Sequence, residues 1–228
     1  ENKDGRNQTA AKWTASDVEV SDIRVEEDDG WIVLNGDGFT YRLDKRTGLF
    51  SGLQYAGREY LNHPMELNIW RAPTDNDMYI RAEWEKAHYD EAYTRAYSEQ
   101  ILQNKFGVMI MCHAGVVAPT VQKLIDVEIM WKIDGAGRIA AGITAVKDEE
   151  LPDLPRFGIR MFLDKKLSEA AYYGMGPQES YRDKHRAASH GLFRSSVQEL
   201  HEDYIMPQEN GSHYDCDYVE LTNQRYGM

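Results

Sequence analysis

The sequence predicts an all-β protein, an antiparallel two-sheet β-sandwich with at most one short helix. From residue 31 onward, short runs of β-branched and aromatic residues alternate with turn-forming residues, which is the pattern of strands joined by hairpins. No long stretch has the apolar spacing of an amphipathic helix. No repeat of about 20–50 residues is present, so propellers and solenoids are disfavoured.

The first predicted hairpin lies near the start of this pattern. β-prone runs at 31–34 and 39–43 flank Asn35-Gly36-Asp37-Gly38, a sequence typical of a tight turn. A further turn at 44–48 follows the second run. These residues therefore predict antiparallel neighbours joined by short connections.

The clearest predicted strand covers residues 121–133. Apolar side chains recur there at every second position, whereas polar side chains such as Asp126, Glu128 and Lys132 fall between them. The apolar set comprises Val121, Ile125, Val127, Ile129, Trp131 and Ile133. One face of this strand is thus predicted to be buried. The turn at 134–137 leads into a predicted strand at 138–146, and another is predicted at 157–163.

One helix is predicted, at residues 79–89. Ile80, Trp84, Ala87 and His88 have helical spacing there. The segment is short and isolated, so it does not make the protein an α/β fold.

Composition limits the domain count and the partners. The 228 residues fit one large β domain, which we place at 30–228, with 1–29 as a polar linker or lead-in that includes apolar Val18, Val20, Ile23 and Val25. The formal net charge of −12 disfavours nucleic acid and anionic membranes as partners. No apolar run approaches the roughly 20 residues of a membrane span.

Cysteine and histidine spacing predicts no metal site. Cys112 and Cys216 are far apart in sequence, and no two of the seven histidines have the spacing of a ligand pair. Both cysteines are expected to be buried apolar side chains, because free cysteine is among the most buried residue types.

Residues 70–77, the first motif, combine a rigid turn with several polar side chains. Pro73 fixes an irregular backbone, and Asp75, Asn76 and Asp77 follow it after Arg71. Short carboxylates and amides on a rigid loop suit sugar hydroxyls, which both donate and accept hydrogen bonds. Alternatively, Asp75 and Asp77 cap the helix that begins near residue 79. An EF-hand is excluded, because its required Gly and Glu are replaced by Ile80 and Lys86.

Two later segments have a similar character. The second motif, residues 173–181, contains Gly174-x-Gly176-Pro177-Gln178-Glu179, and the third motif, residues 207–211, contains Glu209 and Asn210. The two glycines do not indicate a dinucleotide site, since Glu179 occupies the place of the third glycine. No nucleophile elbow for acyl transfer is present.

The three motifs together resemble the C-terminal domain of family-two β-galactosidases, also known as the β-galactosidase small chain. The resemblance runs from about residue 31 to the last residue, with Ser180 at a position where the family more often has Asn. It implies a supersandwich of the galactose-mutarotase type. It also implies that the domain stops short of several C-terminal strands found in the family. The sugar-facing candidates are Arg71, Asp75, Asn76, Asp77, Gln178, Glu179, Glu209 and Asn210.

The resemblance further implies that this domain is not the catalytic one. In the family, both catalytic glutamates and the magnesium ligands belong to a separate (β/α)₈ barrel, so no catalytic residue, metal ligand or cofactor is assigned to this chain. The expected partners are the remaining domains of a parent enzyme or a large subunit, a galactoside substrate and further copies in a homo-oligomer. The compartment stays open between the bacterial cytoplasm and periplasm.

Three functions are compatible with the motifs. The first is a non-catalytic domain of a retaining β-galactosidase that acts on terminal galactosides such as lactose and that shapes the sugar pocket. The second is an independent carbohydrate-binding module. The third is a mutarotase-like epimerase in which Glu209 acts as the base, although none of the seven histidines falls within the three motifs.

Overall fold

The computed structural model describes residues 22–119, 123–184 and 186–223. Antiparallel strands dominate it, as predicted. The strands, in chain order, are β1 Arg24–Glu27, β2 Trp31–Gly36, β3 Phe39–Asp44, β4 Leu49–Tyr55, β5 Arg58–Glu59, β6 Leu61–Asn68, β7 Tyr93–Asn104, β8 Gly107–Val117, β9 Ile125–Asp134, β10 Ile139–Lys147, β11 Gly158–Leu163, β12 Glu169–Gly176, β13 Ser189–Ser196 and β14 Tyr218–Thr222. The predicted hairpin strands at 31–34 and 39–43 correspond to β2 and β3. Val18, Val20 and Val121 lie outside the described residues.

The helix content is small, in agreement with the predicted fold class. The helix α1 covers Arg81–Lys86, inside the predicted segment, and three 3₁₀ turns cover Asp75–Asp77, Tyr89–Glu91 and Gln198–Leu200. Trp84 and Ala87 of the predicted apolar face are buried. Within the described residues, no helix has the length and apolar character needed to cross a membrane.

The chain divides into two compact units. The first contains the described residues of 22–69 and 86–162, and the second contains those of 70–85 and 163–223. The first unit holds a five-stranded sheet in the order β1-β2-β3-β4-β5, a four-stranded sheet in the order β10-β9-β8-β7, and the pair β11-β6. The second unit holds a three-stranded sheet in the order β13-β12-β14.

The two larger sheets of the first unit pack face to face around Trp131. Its indole N–H donates a hydrogen bond to the carbonyl of Gly48 at 2.8 Å, and its ring meets the edge of Phe50 with centroids 4.9 Å apart. Gly48 has a left-handed φ of +70°, and an added Cβ would lie 3.0 Å from the Cβ of Cys112. A side chain there would therefore hold the sheets apart. The alternation predicted for β9 is confirmed, since its apolar positions from Ile125 to Ile133 are buried.

The two cysteines differ from each other. Cys112 is fully buried in this core, as expected, and burial raises the pKa of its thiol to about 12. The expectation for Cys216 was wrong, because this residue is exposed and precedes β14 instead of lying within a strand.

We predict that Phe50→Ala lowers the free energy of unfolding by about 3–5 kcal/mol, because it removes a fully buried ring from the contact with Trp131. Urea denaturation followed by circular dichroism measures the loss. Tyr55→Ala is the matched control on the same strand, where the ring is exposed, and it should cost less than about 1 kcal/mol. Equal losses would contradict the placement of the core at Phe50.

Candidate functional site

All three motifs lie in the second unit. The first motif is held by an ion pair between Arg71 and Asp77, in which the guanidinium Nη1 lies 2.6 Å from Oδ2 and Nη2 lies 2.8 Å from Oδ1 of the carboxylate. This two-point contact fixes the orientation of both side chains. The guanidinium also lies over the ring of Trp84, with 5.5 Å to the centroid, a distance at which cation–π attraction contributes.

Asp77 has a structural role within its own loop. Its Oδ2 accepts hydrogen bonds from the backbone N–H of Thr74 at 2.7 Å and from the Thr74 hydroxyl at 3.0 Å, as an N3 acid does in a capping box. Burial opposes ionisation of this carboxyl, but the hydrogen bonds from Thr74 and the charge of Arg71 outweigh it, so the pKa of Asp77 is lowered. It caps the 3₁₀ turn Asp75–Asp77, whereas α1 begins later, at Arg81.

The neighbouring polar side chains of the first motif point outward. Asp75 and Asn76 are exposed, although they sit on the turn that Thr74 and Asp77 fix. A carboxylate and an amide on a rigid turn are available to hydroxyl groups, which both donate and accept. The first motif therefore contains one buried structural acid and two exposed polar groups.

Glu179 of the second motif is the most enclosed acid of the candidate set, with a side chain only 3% exposed. Its Oε1 accepts from the ammonium of Lys184 at 2.5 Å and from the hydroxyl of Tyr204, and its Oε2 accepts from the backbone N–H of Gly211 at 3.0 Å. Lys184 also donates to Tyr204 at 2.9 Å. Burial raises the pKa of Glu179, but Lys184, Tyr204 and Gly211 lower it by more, so the net shift is downward.

The second and third motifs are joined by backbone contacts as well. The N–H of Ser180 donates to the carbonyl of Ser212 at 2.7 Å, and the fully buried hydroxyl of Ser180 accepts from the N–H of Tyr214 at 2.8 Å. Together with Gly211 and Glu179, these bonds hold the segment that follows the third motif against the second. A small hydroxyl at 180 thus satisfies a backbone donor.

A backbone hydrogen bond links the first motif to the third. The N–H of Glu209 donates to the carbonyl of Ala72 at 3.2 Å. Asn210 is used locally, because its Oδ1 accepts from the N–H of Glu202 at 3.2 Å and its amide donates to the carbonyl of Gln208 at 3.2 Å. Gln178, in contrast, is exposed. The structure therefore brings the three motifs together in one loop cluster.

Three residues outside the predicted set contribute to this cluster. Lys184 and Tyr204 donate hydrogen bonds to Glu179. In the sequence they could be noticed only as a cationic and an aromatic residue near the motifs. His213 is the third. Its Nδ1 lies 3.1 Å from the carbonyl of Met175, its ring packs on Tyr172 with centroids 4.3 Å apart, and its Nε2 is buried without a hydrogen-bond partner among the described residues.

Metal ligands are not gathered at this cluster. Across residues 22–119, 123–184 and 186–223, no group of three or more His, Cys, Asp or Glu side chains is placed to hold a metal ion. The cluster presents exposed hydrogen-bonding side chains on loops. Two buried acids, Asp77 and Glu179, hold these loops in place through their ion pairs with Arg71 and Lys184.

This loop cluster lies on a scaffold of antiparallel β-strands. The family model described as beta galactosidase small chain matches residues 35–227. The chain belongs to that family, as its three motifs predicted.

Relatives agree with this assignment. The β-galactosidase of Actinobacillus pleuropneumoniae is 42% identical over 206 residues, which is 90% of this chain and 20% of the relative. The β-galactosidase of Staphylococcus xylosus is 30% identical over 89% of this chain and 20% of its own length, and that of Lactobacillus delbrueckii subsp. bulgaricus is 31% identical over 86% and 19%. The chain thus spans about a fifth of the length of these relatives.

We predict that Glu179→Gln lowers the free energy of unfolding at neutral pH by about 1–3 kcal/mol, because it removes the charge that Lys184 and the two other donors stabilise. The pKa of Glu179 is lower in the folded state than in the unfolded state, where it is about 4.3. The ionised carboxylate therefore contributes its full stabilisation above that unfolded value, and this stabilisation is lost as the pH falls through the folded-state pKa. The difference between variant and parent chain should therefore shrink in acid.

Denaturant unfolding at a series of pH values measures this effect. Glu202→Gln is the matched control, because Glu202 is an exposed acid of the same unit, and it should change the free energy by less than about 0.5 kcal/mol. A penalty for Glu179→Gln that stays constant from neutral to acid pH would show that the charge is not responsible.

Proposed function

We propose that this chain is a non-catalytic domain of a retaining β-galactosidase and that it shapes one side of the sugar pocket. The observation that carries the proposal is the family match over residues 35–227, combined with three named relatives that are β-galactosidases and of whose length this chain covers about a fifth. The hydrolysis of terminal galactosides such as lactose then belongs to the parent enzyme. Its other partners are the remaining domains or a large subunit, and further copies in a homo-oligomer.

The chemistry of the two buried acids supports a non-catalytic role. Retaining hydrolysis needs two carboxyl groups about 5–5.5 Å apart, one of which must hold a proton near neutral pH. Asp77 and Glu179 are each held as carboxylates by a cation and by N–H or O–H donors, and the pKa of each is lowered. Neither therefore suits a proton donor. The resemblance to family-two β-galactosidases implies that the catalytic glutamates and the magnesium ligands belong to a separate barrel of the parent.

The exposed members of the loop cluster are assigned to sugar contact. Asp75, Asn76 and Gln178 present carboxylate and amide groups, and Glu209 and Asn210 are half-buried beside them in the third motif. The ion pair of Arg71 with Asp77 and the shell around Glu179 keep these loops in place before a ligand arrives. Such preorganisation reduces the entropy lost on binding.

An epimerase of the mutarotase type is the second candidate, and one observation favours it. The sequence places no histidine within the motifs, but the fold packs His213 against Met175 of the second motif and against Tyr172, which directly precedes that motif. Ring opening of a sugar requires an acid and a base, and the epimerase hypothesis assigns these roles to His213 and Glu209. Polarimetry of freshly dissolved α-galactose tests it, since only the epimerase reading expects faster mutarotation than in buffer.

We predict that Asp75→Ala and Asn76→Ala in the parent enzyme each raise KM for a nitrophenyl β-galactoside by about 2–10-fold, with a smaller change in kcat. Each removes a hydrogen bond worth about 0.5–1.5 kcal/mol that substrate and transition state share. Asp37→Ala is the matched control, because Asp37 is an exposed acid in the first unit. Unchanged KM in both variants would remove these residues from the pocket.

We predict that the 228-residue chain alone does not hydrolyse the same substrate and binds galactose with a dissociation constant of about 1 mM or weaker. One side of a pocket removes little of the sugar's surface from water, so the hydrogen bonds that the sugar makes to the protein merely replace those that it made with water. Calorimetry with galactose and lactose measures binding. Micromolar affinity would favour the independent carbohydrate-binding module, and turnover abolished by mutating an acid of this chain would contradict the non-catalytic role.

A further inference from the structure

The sequence contains two Asn-Gly pairs, Asn35-Gly36 and Asn210-Gly211. In such a pair the backbone nitrogen of the glycine can attack Cγ of the asparagine side chain, because glycine has no Cβ to hinder the approach. A bond forms between this nitrogen and Cγ, and the side-chain nitrogen takes up the displaced proton through water and leaves as ammonia. Water then opens the resulting succinimide ring at one of its two carbonyl groups and gives aspartate or isoaspartate.

The first pair is held in a sheet. Asn35 and Gly36 lie on β2, which has β1 on one side and β3 on the other. Asn35 is the register partner of Arg24 and of Thr40, and the Thr40 hydroxyl donates to its Oδ1 at 3.0 Å. Because the attack requires these strands to separate, deamidation at Asn35 follows the opening of the sheet. Both asparagines precede glycine and are half-buried, so Asn35 is an internal reference for Asn210.

The second pair lies in a loop and is held by other contacts. The N–H of Gly211, a residue with a left-handed φ of +72°, donates to Oε2 of Glu179 at 3.0 Å. The Asn210 side chain is held at both of its polar atoms, since Oδ1 accepts from the N–H of Glu202 and the amide donates to the carbonyl of Gln208, each at 3.2 Å. The attacking nitrogen and the side chain that it would attack are thus bound to separate partners.

The Glu179 carboxylate opposes the attack through its charge as well as its position. The nitrogen of Gly211 must lose its proton before it can attack. A carboxylate at hydrogen-bond distance stabilises the N–H form and repels negative charge that develops on the nitrogen. The carboxylate is itself fixed, because its side chain is only 3% exposed and its Oε1 accepts from Lys184 and Tyr204.

We propose that Asn210 is a deamidation site that the hydrogen bond between Glu179 and Gly211 keeps closed, and that its modification releases the third motif from the second. Aspartate at position 210 lacks the amide donor that binds Gln208 and adds a carboxylate next to Glu209. Isoaspartate adds a methylene group to the backbone directly before Gly211 and displaces the N–H that Glu179 binds. Each product therefore loses a contact that holds the loop, and the loss of ammonia makes the change irreversible.

Peptide mass mapping of the 228-residue chain after incubation at mildly alkaline pH measures both asparagines at once. In chain unfolded by guanidinium chloride, Asn35 and Asn210 should react at similar rates, because each is followed by glycine. In the folded chain, both should react at least about 10-fold more slowly. Glu179→Ala should raise the rate at Asn210 by at least about 10-fold and leave Asn35 unchanged, because Gly211 loses a hydrogen bond to a charged group.

A second pair of variants frees the Asn210 side chain without changing Glu179. Glu202→Pro removes the N–H that binds Oδ1 of Asn210, and the extended ψ of 135° at His201 suits a residue that precedes proline. The rate at Asn210 should rise by about 2–10-fold, as expected for the loss of one neutral hydrogen bond. Glu202→Ala is the matched control, because it keeps this N–H and should leave the rate unchanged.

Three outcomes would overturn the proposal. Deamidation of Asn210 in the unsubstituted folded chain at the rate of the unfolded chain would show that no contact protects it. An unchanged rate at Asn210 in both Glu179→Ala and Glu202→Pro would show that these two hydrogen bonds are not the protection. Equal acceleration of Asn35 and Asn210 in both variants would assign the protection to the stability of the whole chain. The readout does not depend on sugar binding or on galactoside hydrolysis.

Discussion

The carboxylate of Glu179 is buried, and its hydrogen bonds to residues of several loops hold these loops of the second unit together. An ionised acid without hydrogen bonds or a nearby cation would be strongly destabilising in such a position. Lys184, Tyr204 and the N–H of Gly211 meet that need from three separate points of the chain. The carboxylate consequently fixes the distance between the second motif and the third, and with it the place of the polar residues that flank them.

The first motif likewise contains a buried acid whose partners hold its loop in place. Asp77 is buried against Arg71 and the backbone of Thr74, whereas Asp75 and Asn76 on the same turn remain exposed. Acids of identical chemistry thus divide into a structural group and an accessible group according to burial and partners. This division explains how the second unit can present exposed polar side chains while its two buried acids keep their partners.

The core of the first unit depends on the alternation of apolar residues along β9. The inner-face residues of β9 from Ile125 to Ile133 are buried. On the neighbouring edge strand β10, Ile139 and Ile143 of the same face are half-buried and Ala141 and Ala145 are exposed. Burial of apolar area is the main favourable term in folding, at about 25 cal/mol per Å². The central strand β9 therefore contributes more to stability than the edge strand β10 does.

The sequence by itself determined the fold class, most strand positions and the family. Alternation in β9 and the turn residues around β2 and β3 act over a few neighbouring residues, so local periodicity reveals them. The sequence alone could not determine which acids are structural, because Lys184 contacts Glu179 only once the loop between them has folded. Nor could it place His213 beside the second motif, because that contact joins residues distant in sequence. Exposure of Cys216 and of β10, and the division into two units, were likewise decided by the tertiary structure, since burial depends on residues distant in sequence.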